Sequence, residues 1–162
     1  MSGVVTAAEM AEARQAGRTE IVVDTNIWLD MLVFDDAGSR RLAALLYPGA
    51  SLRPLSSDEM RAELVDVVKR PQFKLDQFRL DALLERYDRI VTCASVAPDC
   101  RLPCRDPDDR KFLDLAVSRR ASWLLSRDRA LLAARKLAWS RFALRIGRVD
   151  DFYHWLDAGL SP

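Results

Sequence analysis

The chain is organised around residues 20–29, which read EIVVDTNIWL. In this segment three β-branched apolar residues lead directly into Asp24, and the small polar residues Thr25 and Asn26 follow. A short apolar run between polar flanks is typical of a strand buried on both faces of a parallel sheet. Because ligands of open α/β sheets bind beyond the carboxyl ends of the strands, Asp24 is expected at the mouth of a binding site. Asn26 is predicted to be the N-cap of the next helix.

Strand and helix patterns alternate along the rest of the chain. A capping box formed by Ser56 and Glu59 predicts the start of one helix, and Asp106 followed by Pro107 predicts the start of another. Further strands are predicted at 51–55, where Pro54 favours an irregular strand, and at 89–93, 122–125 and 142–146. The alternation predicts an α/β protein with a three-layer α/β/α fold around a central, mostly parallel sheet.

The length of 162 residues is that of a single domain with a substantial core. Residues 1–18 are expected to form an N-terminal arm or helix, and residues 19–162 the domain itself. The sequence shows no secretory pattern and no apolar run of the ~20 residues that a membrane span requires. We therefore expect a cytoplasmic protein without membrane contact.

Charge and cysteine content narrow the functional classes. The net charge is only +1, but residues 101–148 contain 13 Lys or Arg against five Asp. Such a segment suits either contact with a polyanion or a solvated basic face. The three cysteines, Cys93, Cys100 and Cys104, lie close together in sequence, but a zinc site would need one more ligand than this cluster offers, and the single histidine, His154, lies far along the chain. They are predicted to be free thiols in a reducing compartment.

Four acidic residues fall at corners of the predicted fold: Asp24, Glu63, Asp109 and Asp128. Carboxylates that crowd together require either a cation or raised pKa values. Hard divalent cations such as Mg²⁺ and Mn²⁺ prefer such oxygen ligands, and they promote phosphodiester hydrolysis without histidine or cysteine. Each acid also has an ordinary structural interpretation, as a helix-dipole partner, an N-cap, a solvated helix residue or a turn residue. Spacing alone leaves these alternatives open.

Four segments, in the right order, resemble the signatures of the PIN domain, a family of metal-dependent ribonucleases. The resemblance covers roughly residues 21–152 and is specific because four ordered motifs contribute. The second segment has the form seen in the VapC-like group, the toxin components of toxin–antitoxin systems. The segments are VVDTNI at 22–27, SDEMRAEL at 57–64 leading to KRPQF at 69–73, RDPDDRKFLDLA at 105–116, and WLLSRD at 123–128.

The resemblance implies a role for each acidic residue. The family's four catalytic, metal-binding acids fall on Asp24, Glu63, Asp109 and Asp128, with Mg²⁺ or Mn²⁺ as the cofactor. Asp108 is the alternative to Asp109 if the register shifts by one residue. Ser126 stands where the family usually has Thr, so the hydroxyl group is retained. Asn26 is expected to orient Asp24 by a hydrogen bond. Arg110 departs from the family pattern, since many relatives have Asn there.

The resemblance further implies an endoribonuclease with an RNA substrate, an antitoxin protein as partner and a homodimer. RNA is expected to contact four basic residues: Arg105, Arg110, Lys111 and Arg127. Helical geometry, counted from Asp109, places Arg110 nearer the cleft and Lys111 further round. A PIN-fold RNA- or protein-binding module without catalysis is the alternative. A phosphatase of the haloacid dehalogenase type is disfavoured because Asn26 stands where that chemistry needs a second Asp.

Overall fold

The computed structural model of the chain describes residues 18–48, 50–97 and 101–159. In this part of the chain five strands form one sheet in the order β3-β2-β1-β4-β5, and every pair of neighbours is parallel. The strands are β1 (Thr19–Val23), β2 (Leu52–Ser56), β3 (Thr92–Cys93), β4 (Trp123–Leu125) and β5 (Arg145–Gly147).

Helices cover both faces of the sheet. In chain order they are α1 (Thr25–Leu32), α2 (Ala37–Leu45), α3 (Asp58–Val68), α4 (Gln77–Ile90), α5 (Arg110–Ser118), α6 (Arg129–Ala133), α7 (Arg135–Phe142) and α8 (Val149–Asp157). Two 3₁₀ turns, Pro71–Phe73 and Pro107–Asp109, precede α4 and α5. Each helix within the described ranges is too short or too polar to cross a membrane.

The central strand β1 is buried on both faces, as its sequence predicted. Ile21 and Val23 point into a core shared with α1, α2, α3, α4 and α8. Val22, between them, points into a second core shared with α5, α6 and α7. Successive side chains of a strand alternate between faces, so a strand between two helical layers must be apolar throughout. The predicted three-layer α/β/α fold is confirmed.

The parallel arrangement brings the carboxyl ends of all strands to one edge of the sheet. At this edge the N–H of Asp24, just after β1, donates to the carbonyl of Leu125, the last residue of β4, at 2.9 Å. The chain turns from β1 towards β2 on one side and reaches β4 on the other. The gap between β1 and β4 is therefore the switch point at which ligands of such sheets bind.

Two predicted helix starts are wrong by one or two residues. Helix α1 begins at Thr25 with Asp24 in the N-cap position, so Asn26 is not the N-cap but the second helical residue, exposed to solvent. Helix α3 is capped by Ser57, which accepts the N–H of Met60 at 3.3 Å. Ser56 instead ends β2, and its buried hydroxyl lies 2.7 Å from that of Tyr87. Strand pairing outcompetes the cap at this residue.

Strand boundaries also differ from the predictions. Strand β3 has only two residues because α4 continues to Ile90, and β5 starts at Arg145 because α7 continues to Phe142. Strand β2 is regular despite Pro54, since β3 pairs only with Leu55 and Ser56 and requires no N–H from the proline. The predicted N-terminal arm at residues 1–18 lies, apart from its last residue, outside the described part of the chain.

Cysteine pairing is resolved only for the residues that the structure describes. Cys93 and Cys104 are free thiols, as predicted. Cys100 lies outside the described residues.

Candidate active site

Asp24 lies at the carboxyl end of β1 with only 3% of its surface exposed. Its Oδ2 accepts a hydrogen bond of 2.7 Å from the hydroxyl of Ser126, which follows β4. Burial raises the pKa of Asp24, the charge of Glu63 raises it further, and the Ser126 hydroxyl lowers it, with a raised pKa as the net result. A buried carboxylate whose pKa is raised in this way would be stabilised by a nearby positive charge.

Ser126 connects two of the predicted acids. Besides donating to Asp24, its hydroxyl accepts the backbone N–H of Asp128 at 2.9 Å. Asp128 in turn caps α6, since its Oδ1 accepts the N–H of Ala130 at 2.7 Å. Asp128 therefore is an N-cap, as its ordinary structural interpretation predicted, and it also lies beside the other acids.

Asp109 ends the 3₁₀ turn that Asp106 caps by accepting the N–H of Asp108 at 2.9 Å. Its carboxyl group lies against that of Asp128. Burial, followed by the charges of Asp128, Asp106 and Asp24, raises the pKa of Asp109 to about 7. Its Oδ2 is buried and has no hydrogen-bond partner among the described residues. Asp108, the alternative from a shifted register, is exposed.

Glu63 reaches the same edge from α3, where its side chain is partly buried. Its Oε1 accepts the hydroxyl of Thr25 at 2.6 Å. Its Oε2 forms an ion pair with the ammonium group of Lys111. Because Glu63 bonds to the residue that directly follows Asp24, and its charge raises the pKa of Asp24, we assign Glu63 to the same acidic cluster.

Lys111 was predicted to lie further from the cleft than Arg110, and this is wrong. The Lys111 side chain is 7% exposed and lies within the acidic cluster, whereas Arg110 donates to the carbonyl of Leu102 at 3.2 Å. The prediction counted helical turns from Asp109, but Asp109 belongs to a 3₁₀ turn and α5 starts only at Arg110. One sequence signal was available: Lys111 lies four residues before the fully buried Leu115.

Basic residues border the acids on the solvent side. A cavity of about 600 Å³ is lined by Asn26, Arg105, Arg127, Asp128 and Arg129, among others. Asn26 therefore lies beside the site. Among the described residues, however, the side chain that donates a hydrogen bond to Asp24 is that of Ser126, and not that of Asn26 as expected. One of the arginines is partly engaged, since Arg127 pairs with Asp30 at 2.5 Å.

The residues present fit a hard divalent cation in donor type and in charge. They offer carboxylate oxygens, which Mg²⁺ and Mn²⁺ prefer, and one of these oxygens, Oδ2 of Asp109, is buried without a hydrogen-bond partner in the described part of the chain. Within residues 18–48, 50–97 and 101–159, no three His, Cys, Asp or Glu side chains already converge in the geometry of a metal site. Mutual repulsion of carboxylates opposes such convergence until a cation binds.

The raised pKa of Asp109 makes the stability of the protein depend on pH. Its folded pKa of about 7 lies above the ordinary value of 3.8, so between these values the folded chain keeps a proton that the unfolded chain has lost. Stability should therefore fall as the pH rises through this window. In EDTA near pH 8 we expect Asp109→Asn to unfold with a free energy higher by about 1 kcal/mol, a value reduced for partial solvent screening.

Urea unfolding near pH 8 and near pH 5 would measure this effect, and the gain should shrink at the lower pH. Asp66→Asn, on the exposed face of α3, is the matched control and should change little at either pH. A destabilised Asp109→Asn at pH 8 would contradict the crowding of charge around Asp109.

Comparison with known proteins supports the same fold and family. The chain resembles a crystal structure of VapBC2 from Rickettsia felis bound to a DNA fragment from their promoter, with a TM-score of 0.55 and 14% identity over 79% of this chain and 97% of that one. At this identity the likeness concerns the fold alone. No curated protein sequence gives a significant match. The family model described as PIN domain matches residues 20–130, a span that contains all four acids. The chain thus belongs to the PIN domain family.

Proposed function

We propose that this protein is a metal-dependent endoribonuclease and the toxin component of a toxin–antitoxin pair. The observation that carries the proposal is that the four acids lie near one another at the carboxyl edge of the sheet: Ser126 links Asp24 and Asp128, Thr25 next to Asp24 bonds to Glu63, and the charges of Asp128 and Asp24 act on Asp109. Membership in the PIN family, whose members are generally nucleases, supports the same conclusion.

The chemistry assigned to the site is hydrolysis of an RNA phosphodiester bond. A bound Mg²⁺ or Mn²⁺ would supply the positive charge that stabilises the transferred phosphoryl group and acidifies water. The carboxylates of Asp24, Glu63, Asp109 and Asp128 would hold that ion. Ser126 fixes the orientation of Asp24 and of the chain at Asp128. The arginines that line the adjoining cavity, Arg105, Arg127 and Arg129, would position RNA phosphates.

Cleavage of RNA by the purified protein tests the proposal. We expect single-stranded RNA to be cut in Mg²⁺ or Mn²⁺ and to remain intact in EDTA, with cleavage restored when the metal is returned in excess. Metal-independent cleavage would contradict the proposed chemistry. RNA binding without cleavage under all metal conditions would favour the alternative, a catalytically inactive PIN-fold binding module.

The proposed partner is an antitoxin protein. The support is the structural likeness to VapBC2, which was solved as a complex on promoter DNA. We also propose a homodimer, as the family resemblance implies. Co-expression with the product of a neighbouring short reading frame should yield a complex in which RNA cleavage is suppressed.

A further inference from the structure

Both carboxylate oxygens of Glu63 already have partners within the protein. Oε1 accepts the Thr25 hydroxyl at 2.6 Å, and Oε2 contacts the ammonium group of Lys111. With 7% exposure, the Lys111 side chain is shielded from the water and salt that weaken exposed ion pairs. The charge of Glu63 is therefore compensated by a cation that belongs to the chain.

The position of the Lys111 ammonium group is set by more than one contact. It donates to the backbone carbonyl of Asp108, and it lies 5.2 Å from the centre of the Phe112 ring. Burying a lysine is costly unless the charge is paired and hydrogen-bonded, and here both conditions are met. Because the carbonyl of Asp108 belongs to the turn that carries Asp109, Lys111 connects this turn with Glu63 on α3.

The opposite side of the acidic cluster is not compensated in this way. Oδ2 of Asp109 is buried without a hydrogen-bond partner among the described residues. The like charges of Asp128, Asp106 and Asp24 act on the same carboxyl group. Among the described residues, the buried carboxylate oxygen without a partner thus lies at Asp109, next to the like charges of Asp24 and Asp128, and not at Glu63.

We propose that Lys111 is a positioning residue that fills the cation position beside Glu63, so that this chain binds one divalent ion, through Asp24, Asp109 and Asp128 and without Glu63. The proposal rests on the metal dependence of the proposed function and narrows the set of metal ligands given there from four carboxylates to three, because the charge of Glu63 is already compensated by Lys111. Lys111 holds Glu63 away from the ion and keeps the turn of Asp109 in place. It acts in the place of a second metal.

Titration of the full-length chain with Mn²⁺, followed by electron paramagnetic resonance of the free ion, tests the proposal. We expect one Mn²⁺ per chain in the wild type and two in Lys111→Met, in which Glu63 has lost its counter-ion. Lys136→Met, at an exposed position of α7, is the matched control and should still bind one. Two ions in the wild type, or one ion of unchanged affinity in Lys111→Met, would overturn the proposal.

A second pair of variants keeps the test decisive if Lys111→Met does not fold. We expect Glu63→Gln to alter Mn²⁺ affinity by no more than about threefold, and Asp109→Asn to weaken it by at least about tenfold, the size of effect known for residues at metal sites. Equal losses in the two variants would contradict the exclusion of Glu63 from the ion.

The outcomes separate this proposal from the proposed function. A chain that binds one Mn²⁺ with these variant effects but does not cut RNA supports the role of Lys111 and refutes the ribonuclease. A chain that cuts RNA but binds two ions supports the ribonuclease and refutes the role of Lys111.

Discussion

Replacing Asp24 by Asn is expected to lower metal-dependent RNA cleavage by at least about 10²–10³-fold, the loss known for removal of one preorganised electrostatic group from an active site. Asp24 is 3% exposed at the end of the central strand, and its carboxylate is oriented by Ser126. The amide has nearly the same shape but lacks the charge that would hold the cation. Because burial and Glu63 already raise the pKa of Asp24, removing the charge should not destabilise the fold.

Cleavage rates of the wild type and of Asp24→Asn at saturating Mn²⁺, together with their melting temperatures in EDTA, measure this prediction. Asp66→Asn removes one negative charge from the exposed face of α3 and should cleave like the wild type. If Asp24→Asn retained full activity with a wild-type melting temperature, Asp24 could not be a catalytic residue.

Replacing Ser126 by Ala is expected to lower the free energy of unfolding by about 1.5–3 kcal/mol near neutral pH, the range for hydrogen bonds to charged groups. Ser126 is completely buried, and its hydroxyl serves Asp24 and the N–H of Asp128 at once. Without it, a buried carboxylate and a backbone N–H each lose a partner. Since the hydroxyl lowers the pKa of Asp24, its removal should raise that pKa further.

The sign of the pH effect follows from this shift. A higher folded pKa of Asp24 destabilises the fold where the group is ionised, so the loss in Ser126→Ala should be larger near pH 8 than near pH 5. Ser126→Thr, which keeps the hydroxyl, should lose less than Ser126→Ala. Ser140→Ala removes a hydroxyl from an exposed site on α7 and is the control. Equal free energies of unfolding for the wild type and Ser126→Ala would show that the Ser126 hydroxyl does not contribute to stability.

Local sequence patterns predicted the layers of the fold and the edge at which the acids lie. Alternating burial makes β1 apolar at Ile21, Val22 and Val23 in succession, because helices cover both faces of the sheet. An acid directly after such a strand lies at the carboxyl edge, whatever its partners are. Asp24 and Asp128 could therefore be placed from sequence, since each follows a strand and precedes a helix.

The partners of those acids could not be predicted locally. Ser126 donates to Asp24 across 102 residues of sequence, and Thr25 donates to Glu63 across 38. Such contacts depend on the distance between two packed elements. The hydrophobic periodicity within one element gives no information about that distance. The helix that contains Lys111 shows how strongly predicted side-chain directions depend on the assumed start of a helix. A shift of that start by one residue rotates every predicted side-chain direction by ~100°.

The sequence by itself determined a parallel sheet between two helical layers, the family, and the positions of Asp24 and Asp128 after strands of that sheet. These features follow from burial patterns and motifs, and both are formed by residues that lie close together in the sequence. Only the tertiary structure decided that Ser126 orients Asp24, that Lys111 neutralises Glu63, and that Asp109 has a buried oxygen without a hydrogen-bond partner among the residues that the structure describes. Charge compensation in a cluster depends on distances of a few ångströms between separate elements, and packing of the whole chain sets those distances.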